Sequence, residues 1–300
     1  MGTDTKPGYL NGLNPAQAQA VLHEPLSSLQ ILAGPGSGKT RVLTTRIAHM
    51  ILEHSILPSN IVAVTFTNKA AKEMKDRLKK LIDPKRVEEI VMGVYISRFS
   101  PLELTNKGTF HAVCIRYIKI YGKFLDPPMS KNWTIADASE AKDLVASVCK
   151  SNDELKSMVD FCRNKISWYK AKRMSPDDLE DLAEATENKF QQRQYKQVAY
   201  VYEQYEKKLK SLNMLDFDDL LLEGCRVFEQ IPHANNNIHV MLVDEFQDTN
   251  FVQYDLMKLM SRRRHVSIVG DPDQSSTCLG RSETFLTATC SLRMESCRDW

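Results

Sequence analysis

The stretch that most constrains this chain is Ala33-Gly34-Pro35-Gly36-Ser37-Gly38-Lys39-Thr40, which satisfies G-x-x-x-x-G-K-[ST] from Gly34 to Thr40. Its glycines let the backbone fold back so that successive N–H groups point inward, and the helix that follows adds the positive end of its dipole. A loop of this kind cradles the oxygens of a triphosphate, with Lys39 reaching the β- and γ-phosphates and the Thr40 hydroxyl ligating Mg²⁺. The flanks agree. Leu29-Gln30-Ile31-Leu32 reads as a buried strand feeding the loop, and Arg41 to His54 carries Val42, Ile47, Met50 and Ile51 at helical spacing behind it.

With 300 residues and 42% apolar content, the chain can bury one large core or two smaller ones, so a main domain with an insertion or satellite is expected. The formal charge of +2 is nearly neutral, and nucleic-acid binding must therefore come from local basic patches. No apolar run approaches the roughly 18 residues of a membrane span, and Met1 to Lys6 is polar, without a signal-peptide core. A soluble, intracellular protein with no membrane partner is expected. Seven cysteines without any C-x-x-C pair argue for reduced thiols, against a zinc site or a disulfide framework.

Residues 1–12 read as a flexible leader. Structure is expected from Leu13-Asn14-Pro15-Ala16-Gln17, where Asn14 is a good N-cap, Pro15 suits the first helical position and Gln17 lies three residues past the cap. On spacing alone Gln17 completes a capping box; the alternative is adenine recognition, since a carboxamide both accepts from and donates to the adenine edge. Ile61-Val62-Ala63-Val64-Thr65-Phe66 is apolar on consecutive positions, as in a central parallel strand covered on both faces. Ligands gather at the carboxyl ends of such strands. Asn68 is expected there as the cap of a helix bearing Lys69, Lys72, Lys75, Arg77, Lys79 and Lys80. Such a charge run commonly forms only a solvated face; with Phe66 and the adjoining hydroxyls it could also serve stacking and phosphate contacts.

From about Phe110 to Leu212 the pattern is nearly continuous helix: His111 to Tyr121, Ala138 to Lys150, Asp153 to Ile166, a segment begun by Ser175-Pro176, and a long helix with Val198, Val201, Tyr205, Leu209 and Leu212 on one stripe. This reads as an all-helical insertion, with Arg163, Lys165, Lys170, Lys172 and Arg173 as a basic patch open to a nucleic-acid backbone. The α/β pattern returns at Val240-Met241-Leu242-Val243, which ends in Asp244-Glu245. Paired carboxylates at the end of a buried strand are costly unless a cation awaits them. Asp244 would hold Mg²⁺, and Glu245 would orient or deprotonate an attacking water. A third strand, His265 to Val269, leads into Gly270-Asp271-Pro272-Asp273-Gln274, placing Gln274 within reach of a γ-phosphate.

Taken in order, Leu13 to Gln17, Ala33 to Thr40, Thr65 to Ala71, Thr109-Phe110-His111, Leu215 to Leu221, Val243 to Thr249 and Gly270 to Ser275 resemble the motifs of the UvrD/Rep/PcrA family of superfamily 1 DNA helicases, over about residues 13–275. The resemblance implies an α/β fold, a RecA-like P-loop NTPase domain with a parallel sheet (13–110 and 213–275) interrupted by a helical subdomain (111–212). It implies ATP hydrolysis with Mg²⁺ and 3′-to-5′ movement on single-stranded DNA and at single-strand/duplex junctions, in repair or recombination. The catalytic set would be Glu245, Asp244, Gln274 and Lys39. The nucleotide would be held by Ala33 to Thr40, by Gln17 reading adenine and by Arg41 assisting it. DNA contacts would fall on Thr65, Phe66, Thr67, Asn68, Thr109 and His111.

Two places depart from the family pattern. After Gln274-Ser275 the expected Ile-Tyr-Gly-aromatic-Arg is replaced by Ser276-Thr277-Cys278-Leu279-Gly280, and the atypical tail 276–300 stops before any second motor domain. A truncated form, slow in ATP hydrolysis and unable to unwind DNA alone, is expected. Upstream, Val94 to Lys107 separates Met92-Gly93 from Gly108-Thr109, as a surface loop or a retained intron; in the latter case the source is a eukaryote and the location nuclear. The alternatives to a helicase ATPase are a non-catalytic ATP- and DNA-binding fragment and a P-loop ATPase acting on protein, which stimulation of ATP turnover by single-stranded DNA would separate.

Overall fold

The computed structural model describes residues 7–92, 109–150, 152–261, 265–271 and 295–297. The elements follow as α1 (Pro15–Leu22), β1 (Leu29–Leu32), α2 (Lys39–Leu52), β2 (Ile61–Val64), α3 (Asn68–Leu78), α4 (Pro84–Glu89), β3 (Val91–Met92), α5 (Thr109–Tyr121), β4 (Thr134–Ile135), α6 (Ala138–Cys149), α7 (Val159–Lys170), α8 (Pro176–Ala185), α9 (Lys189–Ser211), β5 (Met214–Leu215), α10 (Phe217–Gln230), β6 (Val240–Val243), α11 (Phe251–Met260), β7 (His265–Gly270) and β8 (Glu295–Cys297). They divide into two compact units, Met1–Arg116 with Pro232–Asn250 and Met257–Trp300, and Tyr117–Ile231 with Phe251–Leu256. The boundary expected at residue 212 therefore falls inside the second unit, which runs on through α10. The segment Val94 to Lys107 lies outside the described residues. No described helix is long and apolar enough to cross a membrane.

The first unit is an α/β fold. Its sheet runs β3-β2-β6-β7-β1-β8 with every neighbouring pair parallel. Ile61, Ala63, Val240 and Leu242 join α2 and α3 in one apolar cluster. Val62, Val64, Met241 and Val243 alternate to the opposite face and are just as buried. A strand buried on both faces needs apolar side chains at every position, which is why β2 and β6 read as unbroken apolar runs. Since the strands are parallel, the carboxyl ends of β1, β2, β6 and β7 share one edge. Of the atypical tail, Glu295–Cys297 pairs with β1 from Leu29 to Ile31, so that β1 is flanked on both sides.

Arg46 fixes α1 against α2. Its fully buried guanidinium donates to the carbonyls of Ala20 (3.0 Å), Val21 (3.3 Å), His23 (2.7 Å) and Glu24 (3.0 Å), and Nε to Ser267 Oγ (3.2 Å). These carbonyls lie at and beyond the end of α1, where the helix supplies no donors of its own.

The second unit packs α6, α7, α8 and α9 around Val145, Cys162, Ile166, Leu179, Val198, Val201 and Tyr205, beside a two-stranded parallel ladder of β4 and β5. Three readings of the sequence are corrected here. The helix expected from Asp153 starts at Val159, because Asn152 Oδ1 accepts from Glu154 N (3.0 Å) and turns the chain first. Leu212 is 54% exposed, since α9 ends at Ser211 and the stripe stops with Leu209. Lys170 is no part of a basic surface. It is buried, its ammonium 2.8 Å from Asp216 Oδ2 and 2.6 Å from both Asp219 Oδ1 and Glu206 Oε1. Arg173, from the same expected patch, pairs with Glu229 (2.7 Å) and Asp255 (3.4 Å).

Asp216 and Asp219 also form the capping box that starts α10. Burial holds the Asp219 carboxyl well above the usual carboxylate range despite Lys170, and Asp216 and Glu206 add to the rise. Removing one partner of a buried ion pair leaves uncompensated charge and costs about 3–5 kcal/mol. Lys170→Met is therefore expected to destabilise the helical unit by that amount, read as a lowered urea midpoint; an unchanged midpoint would contradict this account of the cluster.

Candidate nucleotide site

β1 delivers the glycine loop to the shared edge, where Ala33 N donates to the Gly270 carbonyl (3.1 Å) and ties the loop's start to the end of β7. The chain then passes through Gly36 (φ 74°) and Gly38 (φ 86°). L side chains adopt this left-handed region at a cost of roughly 1–2 kcal/mol. A Cβ on Gly38 would also stand 3.1 Å from Gln17 Nε2. Ser37 Oγ closes the turn by donating to the Gly34 carbonyl (2.7 Å).

Two side chains at the start of α2 turn toward β6. The Lys39 ammonium, largely buried, donates to the carbonyls of Ala33 (3.3 Å) and Gly34 (3.4 Å) and lies 4.0 Å from Glu245 Oε2. Thr40 Oγ1 donates to Asp244 Oδ2 at 3.0 Å. Asp244 extends the β2–β6 ladder by one bond, its N–H on the Val64 carbonyl (2.9 Å), so its side chain is set by the sheet itself. Burial, reinforced by Glu245 next to it, pushes its carboxyl up to about 6 against the help of the Thr40 hydroxyl. A hydroxyl and a carboxylate converging in a buried position are the hard oxygen donors that Mg²⁺ takes, and a cation would relieve the buried charge. The residues fit that ion. Glu245 itself adopts a left-handed backbone (φ 51°, ψ 42°), a conformation costing of order 1–3 kcal/mol and concentrated at functional sites.

Gln17 does what the spacing expects and one thing more. Its Oε1 accepts from Asn14 N (3.0 Å) while its own N–H donates to Asn14 Oδ1 (2.8 Å), a complete capping box. Its Nε2 donates to the Ser37 carbonyl (2.8 Å), tying α1 to the phosphate loop. Arg41 Nη2 donates to the Asn11 carbonyl (2.9 Å).

After β2, Thr65 is buried with its hydroxyl on the Thr67 carbonyl (3.1 Å), and the half-buried Phe66 meets Phe110 edge to face at 6.0 Å between centroids. The cap of α3 is Thr67, whose hydroxyl accepts from Ala70 N (3.1 Å); Asn68, expected to cap, is the first helical residue. Ser/Thr and Asn are all competent caps, and backbone conformation decides between neighbours. Thr109 opens α5, with His111 half-buried two residues on. Gln274 lies outside the described residues. Sequence reasoning passed over Gln247, which is buried in the turn after β6 with its amide on Glu245 Oε2 (2.7 Å); a polar residue just past an apolar strand was the available signal.

A parallel sheet that ends in a glycine loop, a lysine, a hydroxyl and a carboxylate pair of which Asp244 is buried defines an α/β P-loop nucleotide-binding domain. Within that class, the chain belongs to the UvrD/REP helicase N-terminal domain family, which it matches over residues 13–276. The ATP-dependent DNA helicase Srs2 of Saccharomyces cerevisiae is 35% identical over 294 residues, covering 88% of this chain and 23% of that protein. Srs2 of Schizosaccharomyces pombe is 34% identical, covering 91% and 30%. The ATP-dependent DNA helicase PcrA of Staphylococcus aureus is 37% identical, covering 89% and 34%. The chain thus spans about a quarter to a third of the length of these curated relatives.

Gly38→Ala is expected to lower stability by about 1–2 kcal/mol from backbone strain alone, and to weaken triphosphate binding as the loop shifts off Gln17. Denaturant unfolding and calorimetry on the same variant check both; a stability equal to the parent's would show that the loop tolerates a side chain at this position.

Proposed function

We propose that this chain is the ATP-binding motor part of a DNA helicase that hydrolyses ATP with Mg²⁺ and moves 3′ to 5′ on single-stranded DNA. The observation that carries the reading is the convergence of Lys39 and Thr40 with Asp244 and Glu245 at one sheet edge, together with membership of a helicase family. The loop N–H groups and the Lys39 ammonium bind the β- and γ-phosphates. Lys39 exchanges the weak carbonyl contacts it makes here for a stronger, doubly charged partner. Thr40 and Asp244 hold Mg²⁺, which when bound neutralises charge on the transferring phosphoryl group. Glu245 orients and deprotonates the attacking water, with Gln274 sensing the γ-phosphate.

Gln17 and Arg41 read the adenine, and both already lie beside the loop. Contacts with single-stranded DNA and its junctions with duplex are assigned to Phe66, Thr65, Thr67, Asn68, Thr109 and His111, Phe66 stacking on bases in the sequence-tolerant way aromatic rings do. A role in DNA repair and a nuclear location in a eukaryotic source follow from this reading.

Lys39→Ala removes the one side-chain cation that the motif places on the phosphates. It is expected to abolish ATP–Mg²⁺ binding, or weaken it severely, by calorimetry; equal affinity in parent and variant would refute the loop assignment. Single-stranded DNA is expected to raise the ATP turnover of the parent chain, and a 3′-tailed duplex to do so more than a 5′-tailed one. If turnover is indifferent to DNA, the helicase reading fails even where ATP binding stands.

A further inference from the structure

Gln247 is a buried carboxamide that the nucleotide reading leaves without a role. It lies in the short 3-10 turn Phe246–Asp248 after β6, 3% exposed. Chemistry distinguishes its two ends. A backbone N–H can only donate, so the Asp271 amide at 3.0 Å identifies Oε1 as its acceptor, and Nε2 is left to donate to Glu245 Oε2 at 2.7 Å. The same carboxylate oxygen lies 4.0 Å from the Lys39 ammonium. Oε2 of Glu245 is thereby engaged from two directions, by a short charge-assisted bond and by a cation. On the reading proposed above, its other oxygen is the one that meets the water.

Asp271 is the first residue beyond β7 and is followed in the sequence by Pro272-Asp273-Gln274. One side chain therefore spans the ends of two neighbouring strands, β6 and β7. Because Glu245 has a left-handed backbone, no helix or strand frame sets the direction of its side chain, and the Gln247 amide supplies that constraint instead.

We infer that Gln247 is a positioning residue for hydrolysis: it aims the Glu245 carboxylate at the attacking water and transmits any shift of the β7 end to that carboxylate. The inference rests on the role proposed above for Glu245. Misplacement of a reacting group by about 1 Å can cost around 10²-fold in rate, so the loss should be large although Gln247 touches neither nucleotide nor water.

Gln247→Glu keeps the size of the side chain and the acceptor for the Asp271 amide, but replaces the donor facing Glu245 by a like charge. Gln247→Leu removes both bonds. Each is compared with the parent 300-residue chain and with Glu245→Gln in three measurements: single-turnover ATP cleavage, affinity for a fluorescent ATP analogue, and amide hydrogen exchange at Asp271. In Gln247→Glu, cleavage is expected to fall by about 10²-fold with analogue affinity and Asp271 protection retained. In Gln247→Leu, cleavage falls similarly and exchange at Asp271 accelerates. Cleavage at the parent rate in both variants would overturn the inference, as would a loss of cleavage matched by an equal loss of affinity, which marks a merely structural residue. If Glu245→Gln cleaves ATP like the parent, or the parent cleaves none, the reading of Glu245 fails and this inference falls with it. If Glu245→Gln is slow while both Gln247 variants are fast, only the positioning role fails.

Discussion

Asp244 sits almost fully buried at the end of β6 with its carboxyl pushed up to about 6, and the arrangement around it follows from supporting that group. The sheet supplies the position, through the bond from its N–H to the Val64 carbonyl. The Thr40 hydroxyl supplies the nearest donor, 204 residues away in sequence. That pairing brings the first turn of α2 against the end of β6, which places Lys39 beside Glu245. Parallel alignment of β1, β6 and β7 is what makes these meetings possible, since in an antiparallel arrangement the loop and the carboxylates would lie at opposite edges.

The second unit handles buried charge in another way. Lys170 is surrounded by Asp216, Asp219 and Glu206, one ammonium among three carboxylates, and Tyr205 Oη adds a donor to Asp216 (2.8 Å). Replacing such a cluster with apolar residues of similar volume is often neutral or stabilising, so its presence is no measure of strength. What it does supply is registry. The cluster joins α7, α9 and the first turn of α10 through directed contacts that apolar side chains would not make.

Legibility followed the range of the interactions. The glycine loop, the apolar strands and the capping box of Asn14 depend on residues within a few positions of each other, and the sequence showed them as patterns. Lys170 was misread as a surface cation because what buries it comes from Asp216 and Asp219, 46 and 49 residues further on. Between Thr67 and Asn68 the cap falls on Thr67, whose backbone is extended while Asn68 is already helical, a difference that composition does not encode. Gln247 lies within the motif Val243 to Thr249 but was given no role of its own, because its contacts with Glu245 and Asp271 show only once the chain is folded. The strand at Glu295–Cys297 had no periodicity to announce it, since three residues are too few to show one.

Arg46 carries a consequence for how a nucleotide is met. Its guanidinium clamps the last carbonyls of α1 to α2 and reaches Ser267 on β7, while Gln17, near the other end of α1, holds the Ser37 carbonyl of the glycine loop. α1 is thus fastened at one end to the glycine loop and at the other to α2 behind it. On the proposed reading, a base at Gln17 and a phosphate at Lys39 would meet surfaces whose separation is set before either arrives. Little ordering of the protein is then left to accompany association, and binding free energy that a looser helix would lose to immobilisation stays available for affinity.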